Sequence, residues 1–262
     1  MNNVGSDPMN LYLTDQYIEN NPTVHEEDSP WKIGMITPLV DRLVPLLDGK
    51  AEINLLDVGG GAGIILSAVS EHIETKHRLG VRKFALDLSP GMLEMQKRRN
   101  PDLHRAVHAD VRSAPFEDKE VDLTLMIDVL EHVPCPAAAL AEIKRFSRYI
   151  LFKVPLENSL HYRLSNFIRR GRPRRHDIEV IGHVNSYRWR TLKRELEDQA
   201  GQVLSHRFTN VFDYHLRSGR HRQQMKTRTA LFNRAAARLF KLSPEFCSLL
   251  FTDFVMVLVR CY

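Results

Sequence analysis

The amino-acid sequence predicts an α/β fold: a doubly wound, mostly parallel sheet of seven strands whose last strand runs antiparallel, with a helical, basic insertion after strand five. Three observations predict it. Strand-like and helix-like segments alternate with short connections from residue 53 to residue 155. Several strand-like runs are continuously apolar, as strands covered on both faces are. After Pro155 the rhythm breaks, and strand-like text returns only in runs beginning near 203 and 251.

The elements follow in order. Residues 1–30 read as a loose polar, acidic arm, and residues 31–262 as a single domain in which 156–185 and 217–245 are insertions or lid elements. A helical pattern runs from Ile33 to Leu47, interrupted by Pro38 and Pro45. INLLDV is a buried strand, and IILSAVSEHI the helix behind it. RKFALDL is a second strand; Ser89 caps the next helix and Pro90 takes its first position. LHRAVHAD and VDLTLMIDV are strands three and four, AAALAEIKRF a helix, and YILFKV strand five. SYRWRTLKRELEDQAG is a helix with Ser186 as N-cap and Gly201 as its stop. VLSHRFTNVF is a strand, 217–242 is basic and helical, and FTDFVMVLVR is a last strand added antiparallel to the sheet edge.

Composition narrows the function classes. Three cysteines, none in a CxxC pair, argue against a zinc site or a disulfide framework. No apolar run reaches the roughly 18 residues of a membrane span, and the first thirty residues lack a basic stretch followed by an apolar one. A cytoplasmic protein is the expectation. The net charge of +5 is uneven: residues 141–241 hold 23 Lys/Arg against 8 Asp/Glu. Such a surface suits an anionic partner or is simply solvated.

The chemistry is concentrated in LLDVGGGAG, residues 55–63, with four glycines in five positions behind a buried strand. Glycine allows positive φ and close approach of a ligand to the backbone, and a helix N-terminus adds free N–H groups. The dinucleotide pattern GxGxxG fails, because the sixth position from Gly59 is Ile64. An aspartate ahead of the turn would repel a pyrophosphate but suits a cation.

The spacing Asp57-x-Gly59-x-Gly61-x-Gly63 resembles the first motif of the class I S-adenosylmethionine-dependent methyltransferases, a Rossmann-like family. FALDLSPGML, HADVRSAPF, VDLTLMIDVLEHVP and GHVNSYRWRTLKRELEDQAG resemble four further motifs, in the family's order, so that the resemblance spans about residues 30–205. It implies S-adenosyl-L-methionine as cofactor and S-adenosyl-L-homocysteine as product; no metal is expected, because no cluster of carboxylates follows strand four beyond Asp128. It places Gly59, Gly61 and Gly63 against the amino-acid and ribose part, and Asp57 near the ammonium. Asp87 takes the ribose hydroxyls, Asp110 the adenine amine, and Leu88 and Val111 flank the ring; Asp128 is a weaker member of the set. No phosphate needs neutralising, so a lining without lysine is expected. Each carboxylate also has a local reading: Asp57 bonding the turn's amides, Asp87 a helix cap, Asp110 a turn residue.

Methyl transfer is an in-line displacement that rests on positioning and, for a hydroxyl or amine acceptor, on a base. His132 and His183 are the candidate catalytic residues, with His161 and Tyr162 in a segment able to cover the pocket. The basic stretch Arg163 to Arg175 either recognises an anionic acceptor or is a solvated loop. A small molecule or an anionic glycan or lipid precursor is the favoured acceptor, with oxygen one candidate atom. RNA is disfavoured, since no RNA-binding module accompanies the core, and a catalytically silent binding protein is the other alternative. Gly171 and Gly182 bound a potential lid, and Tyr12, Tyr17 and Trp31 a second cover. Oligomeric state is not legible.

Overall fold

A computed structural model describes residues 26–262 apart from 48, 220–222 and 224. Among the described residues the sheet has seven strands: β1 (Glu52–Val58), β2 (Gly80–Asp87), β3 (Arg105–His108), β4 (Val121–Ile127), β5 (Ser147–Pro155), β6 (Gly201–Phe208) and β7 (Phe254–Cys261). Their spatial order is β3-β2-β1-β4-β5-β7-β6. Strands β1 to β5 are mutually parallel, and β7 is antiparallel to both neighbours. The last strand is therefore antiparallel as expected. It lies inside the sheet, not at its edge, which belongs to β6.

Helices cover both faces. One face packs on α1 (Ser29–Leu43) and α2 (Ile64–His72), where Leu55, Leu123, Leu125 and Leu151 meet Ile36, Val40, Leu66 and Val69. The other packs on α4 (Pro136–Phe146) and α7 (Trp189–Gln199), where Leu56, Phe84, Met126 and Phe152 meet Ile143, Phe146, Leu192 and Leu196. Adjacent residues such as Leu55 and Leu56 point to opposite faces and both are buried, which explains the unbroken apolar runs. Helix α3 (Pro90–Arg99) starts as expected: Ser89 Oγ accepts from the Met92 amide at 3.2 Å, with proline at the first position.

Several local expectations change. Helix α1 begins at Ser29 and runs through Pro38, because Met35, Ile36, Leu39, Val40 and Leu43 form a buried stripe that outweighs the lost hydrogen bond. Residues 26–30 thus join the fold, through Asp28, which accepts from the Tyr214 hydroxyl at 2.5 Å, and through a Glu26–Arg99 pair at 2.9 Å. Tyr12 and Tyr17 lie outside the described residues. Trp31 stacks on Tyr214 with ring centroids 4.4 Å apart. Helix α7 is capped by Arg188, not Ser186; burial of Tyr187 and Trp189 keeps the approach extended, and Thr191 Oγ1 accepts from the Arg188 amide at 3.3 Å.

After β5 come α5 (Leu160–Ile168), α6 (Arg172–His176) and a wide turn, Asp177–Ile181. After β6 come α8 (Val211–Arg217), α9 (Thr227–Leu242) and α10 (Pro244–Leu250). Val211, Phe212, Ala236, Ala237 and Cys247 give these last three helices a small core of their own. No helix among the described residues is long and apolar enough to cross a membrane.

Candidate functional site

In an open parallel sheet, a crevice forms beyond the carboxyl ends of the strands where the order reverses, here between β1 and β4. A cleft lies there. Asp57, Gly59, Gly60, Gly61, Asp87, Leu88, Asp110, Val111, Asp128 and His132 all line it, together with Ser29 and Lys32 from α1. Of the expected binding residues, only Gly63 is outside the lining.

The turn after β1 needs its glycines for different reasons. Gly59, Gly61 and Gly63 have φ of 62°, 53° and 74°, in the left-handed region. At Gly60 a Cβ would stand 2.1 Å from Asp57 Oδ2, so a side chain there would displace the carboxylate. Gly60 occupies an unspecified position of the motif, and the density of glycines was its only signal. Gly63 opens α2, and its absent Cβ leaves room for Asn100, whose Nδ2 donates to the Gly63 carbonyl at 3.1 Å. Its place is in helix packing.

Asp57 is 1% exposed, and neither carboxylate oxygen has a protein partner. It does not bond the turn's amides. Burial, with the Asp87 charge added, pushes its carboxyl up to about 8. A buried, unpartnered acid facing a cleft is costly unless a ligand supplies the donor. Asp87 ends β2; its Oδ1 accepts from the Ser89 amide at 2.9 Å, and burial lifts it to about 6 against the pull of the Ser89 and Leu88 amides. The two carboxylates and the glycine turn fit a phosphate-free nucleoside bearing a cation.

Asp110 keeps a local role. Its carboxylate accepts from the Arg112 amide at 2.8 Å and from the Arg112 guanidinium at 2.6 Å, which holds it below the usual range. It still lines the cleft, with Arg112 already claiming much of its accepting capacity. Asp128, at φ 57°, pairs with Lys153 and, at 2.9 Å, with Lys32. Burial alone would raise its carboxyl, but the Lys153 and Lys32 charges outweigh it and hold it well below the ordinary value. The expectation of a lysine-free lining is overturned by Lys32, which offsets Asp128. Lys153 was legible as a charge inside the apolar run YILFKV; Lys32, on α1, carried no signal.

Beside this cleft two loops converge. His132 and His183 have ring centroids 4.6 Å apart, although fifty-one positions separate them. His132 Nδ1–H donates to the Gly182 carbonyl at 3.1 Å, so in the neutral ring the lone pair is on Nε2. His183 Nδ1–H donates to Glu157 Oε1 at 2.6 Å; burial would lower this imidazole, and the Glu157 bond and charge raise it instead. Glu131 is 1% exposed with Oε2 unpartnered, and burial together with Asp128 pushes it up to about 8. Glu131, His132 and His183 each bring one ligand atom within 4.8 Å of the others, so the group could hold a cation. Sequence reasoning expected no metal and did not assemble this group. Glu157, too, was missed, since only tertiary structure brings it to His183.

Comparison with known proteins agrees with this geometry. Residues 56–148 match the methyltransferase domain family. That match runs from β1 to the start of β5, the stretch that supplies most of the cleft lining. A demethylmenaquinone methyltransferase of Staphylococcus saprophyticus is 30% identical over 129 residues, 48% of this chain and 50% of that protein. A malonyl-[acyl-carrier protein] O-methyltransferase of Serratia marcescens is 31% identical over 123 residues, 46% of this chain and 45% of that protein. The chain spans half or less of the length of the curated relatives it matches. In fold, a crystal structure described as a sarcosine dimethylglycine methyltransferase from Galdieria sulphuraria superposes with a TM-score of 0.58 at 14% identity, over 85% of this chain and 83% of that one. Geranyl diphosphate C-methyltransferase from Streptomyces coelicolor gives 0.53 at 15% identity, over 85% and 80%.

Proposed function

We propose that this protein transfers a methyl group from S-adenosyl-L-methionine to a small-molecule or anionic glycan or lipid-precursor acceptor. The observation that carries the reading is Asp57: a fully buried, partnerless carboxylate facing a cleft built by a glycine turn and by Asp87. When bound, the cofactor supplies an activated methyl on a sulfonium.

The chain's own residues do the rest. Asp57 receives the ammonium, and the turn at Gly59 to Gly61 lets the amino-acid and ribose part approach the backbone. Asp87 accepts the ribose hydroxyls, an ionised carboxylate offering two oxygens. Leu88 and Val111 flank the base, with Asp110 beside it. Asp128, held by two lysines, lines the cleft at the end of β4. His132 lines the cleft, held through Nδ1 to the Gly182 carbonyl, and is the residue we assign to take the acceptor's proton; the His183 ring, oriented by Glu157, lies 4.6 Å from it. This arrangement suits a hydroxyl acceptor, whose proton must leave as the bond to carbon forms.

Calorimetric titration tests the binding half. S-adenosylmethionine and S-adenosylhomocysteine should bind and NAD should not; binding of NAD alone would sink the proposal. His132→Ala tests the chemical half. It should leave cofactor affinity within about twofold and lower turnover by roughly 10²–10⁴-fold, the usual contribution of a positioned base.

A further inference from the structure

Helix α5 carries an apolar stripe that faces outward. Leu160, Leu164, Phe167 and Ile168 recur at helical spacing and are 45%, 58%, 82% and 67% exposed. No residue of α5 is buried. Aromatic and aliphatic groups standing this far out mark an interaction surface, not scattered surface apolarity. Around the stripe lie Arg163, Arg169, Arg170, Arg172 and Arg175, all exposed. The apolar surface continues onto α9: the His161 ring lies 6.1 Å from that of Phe232, which is 40% exposed, beside Leu231 at 58%.

We propose that this face docks on an anionic membrane surface. A helix with a protruding apolar face flanked by arginines lies in the interfacial plane, its apolar groups in the acyl boundary and its guanidinium groups among the phosphates. The charge pattern selects that partner. A protein groove that accepted Phe167 and Ile168 would need five neighbouring arginines paired by acids at its rim, whereas a bilayer rich in anionic headgroups offers both environments across its whole surface.

The face is tied to the site. Tyr162 of α5 donates to Asp177, the Asp177 carbonyl accepts from the His183 amide at 2.9 Å, and Arg174 donates to the carbonyls of His183 and Val184 at 2.9 and 2.6 Å. Docking therefore fixes the segment that carries His183 against the membrane surface. The corollary, that the acceptor is lipid-borne, rests on the proposed methyl transfer; the docking does not.

Co-sedimentation with unilamellar vesicles tests it, without cofactor present. Vesicles of phosphatidylcholine with about one third phosphatidylglycerol should pellet the protein at about 0.15 M salt, and pure phosphatidylcholine should not. Phe167→Glu/Ile168→Glu and Arg169→Glu/Arg170→Glu should each lower partitioning by about tenfold or more while leaving S-adenosylmethionine affinity unchanged. All four positions are exposed, so the variants should fold, and circular dichroism checks that. Failure of the wild type to pellet, or a Phe167→Glu/Ile168→Glu variant that pellets equally well, overturns the docking. So does light scattering that shows a dimer broken by Phe167→Glu with no vesicle binding, since a second copy would then be the occupant. Loss of cofactor binding by the wild type would instead indict the proposed function.

Discussion

At the scale of single residues, the site is a set of acids whose surroundings differ. Asp87→Ala should weaken S-adenosylmethionine binding by about 1–3 kcal/mol, the worth of charge-assisted bonds, as read by calorimetry. Gly60→Ala should cost about tenfold or more in affinity with secondary structure intact, because its Cβ would meet Asp57 Oδ2 at 2.1 Å. Protonation adds a third expectation. Asp57 and Asp87 are lifted from 3.8 to about 8 and about 6 in the free protein, so the folded state holds more protons than the unfolded chain above the unfolded value. Their contribution to stability is complete below that value and is lost as pH rises through about 6 and about 8. Thermal melts of the free protein should fall across that window, and Asp57→Asn should flatten the fall. A cation seated on Asp57 expels its proton, so binding at pH 7 should release protons, seen as an enthalpy that varies with the buffer. Asp57 and Asp87 were legible because strand and turn are contiguous in sequence. Lys32, Glu131 and Glu157 were not, because their roles exist only once distant segments meet.

At the scale of elements, the strand ends work as a unit. Asp128 closes β4 and Lys153 lies on β5 beside it, 2% exposed, with its ammonium 3.7 Å from the centre of the Phe254 ring. Removing Asp128 strands the buried Lys153, whereas Asp128 also keeps Lys32. Asp128→Asn should destabilise the fold by about 3 kcal/mol in denaturant titrations, and Asp128→Asn/Lys153→Met should recover part of that loss. Helix boundaries were less legible than strands. Pro38 argued against a continuous α1, yet the buried stripe from Met35 to Leu43 prevailed; Ser186 has the right chemistry for a cap, but the neighbouring aromatics set the start of α7 two residues later. In each case tertiary burial overrode a local preference.

At the scale of the molecule, the number and direction of the strands followed from periodicity, while the place of the last strand did not. The distinguishing signal was present in polarity. β7, FVMVLVRC, is buried nearly throughout, whereas β6, GQVLSHRF, carries Ser205, His206 and Arg207 and leaves half its length open. A strand walled on both faces and paired on both edges must be the apolar one, so the interior position belongs to β7. During synthesis this has a price in time. β6 emerges some fifty residues before the strand that joins it to the rest, and until residue 261 has left the ribosome it has no ladder to enter. Nascent β5 waits longer still with an open edge. The half-built sheet is thus a natural client for chaperones, and its closure waits on β7, the last of its strands in chain order.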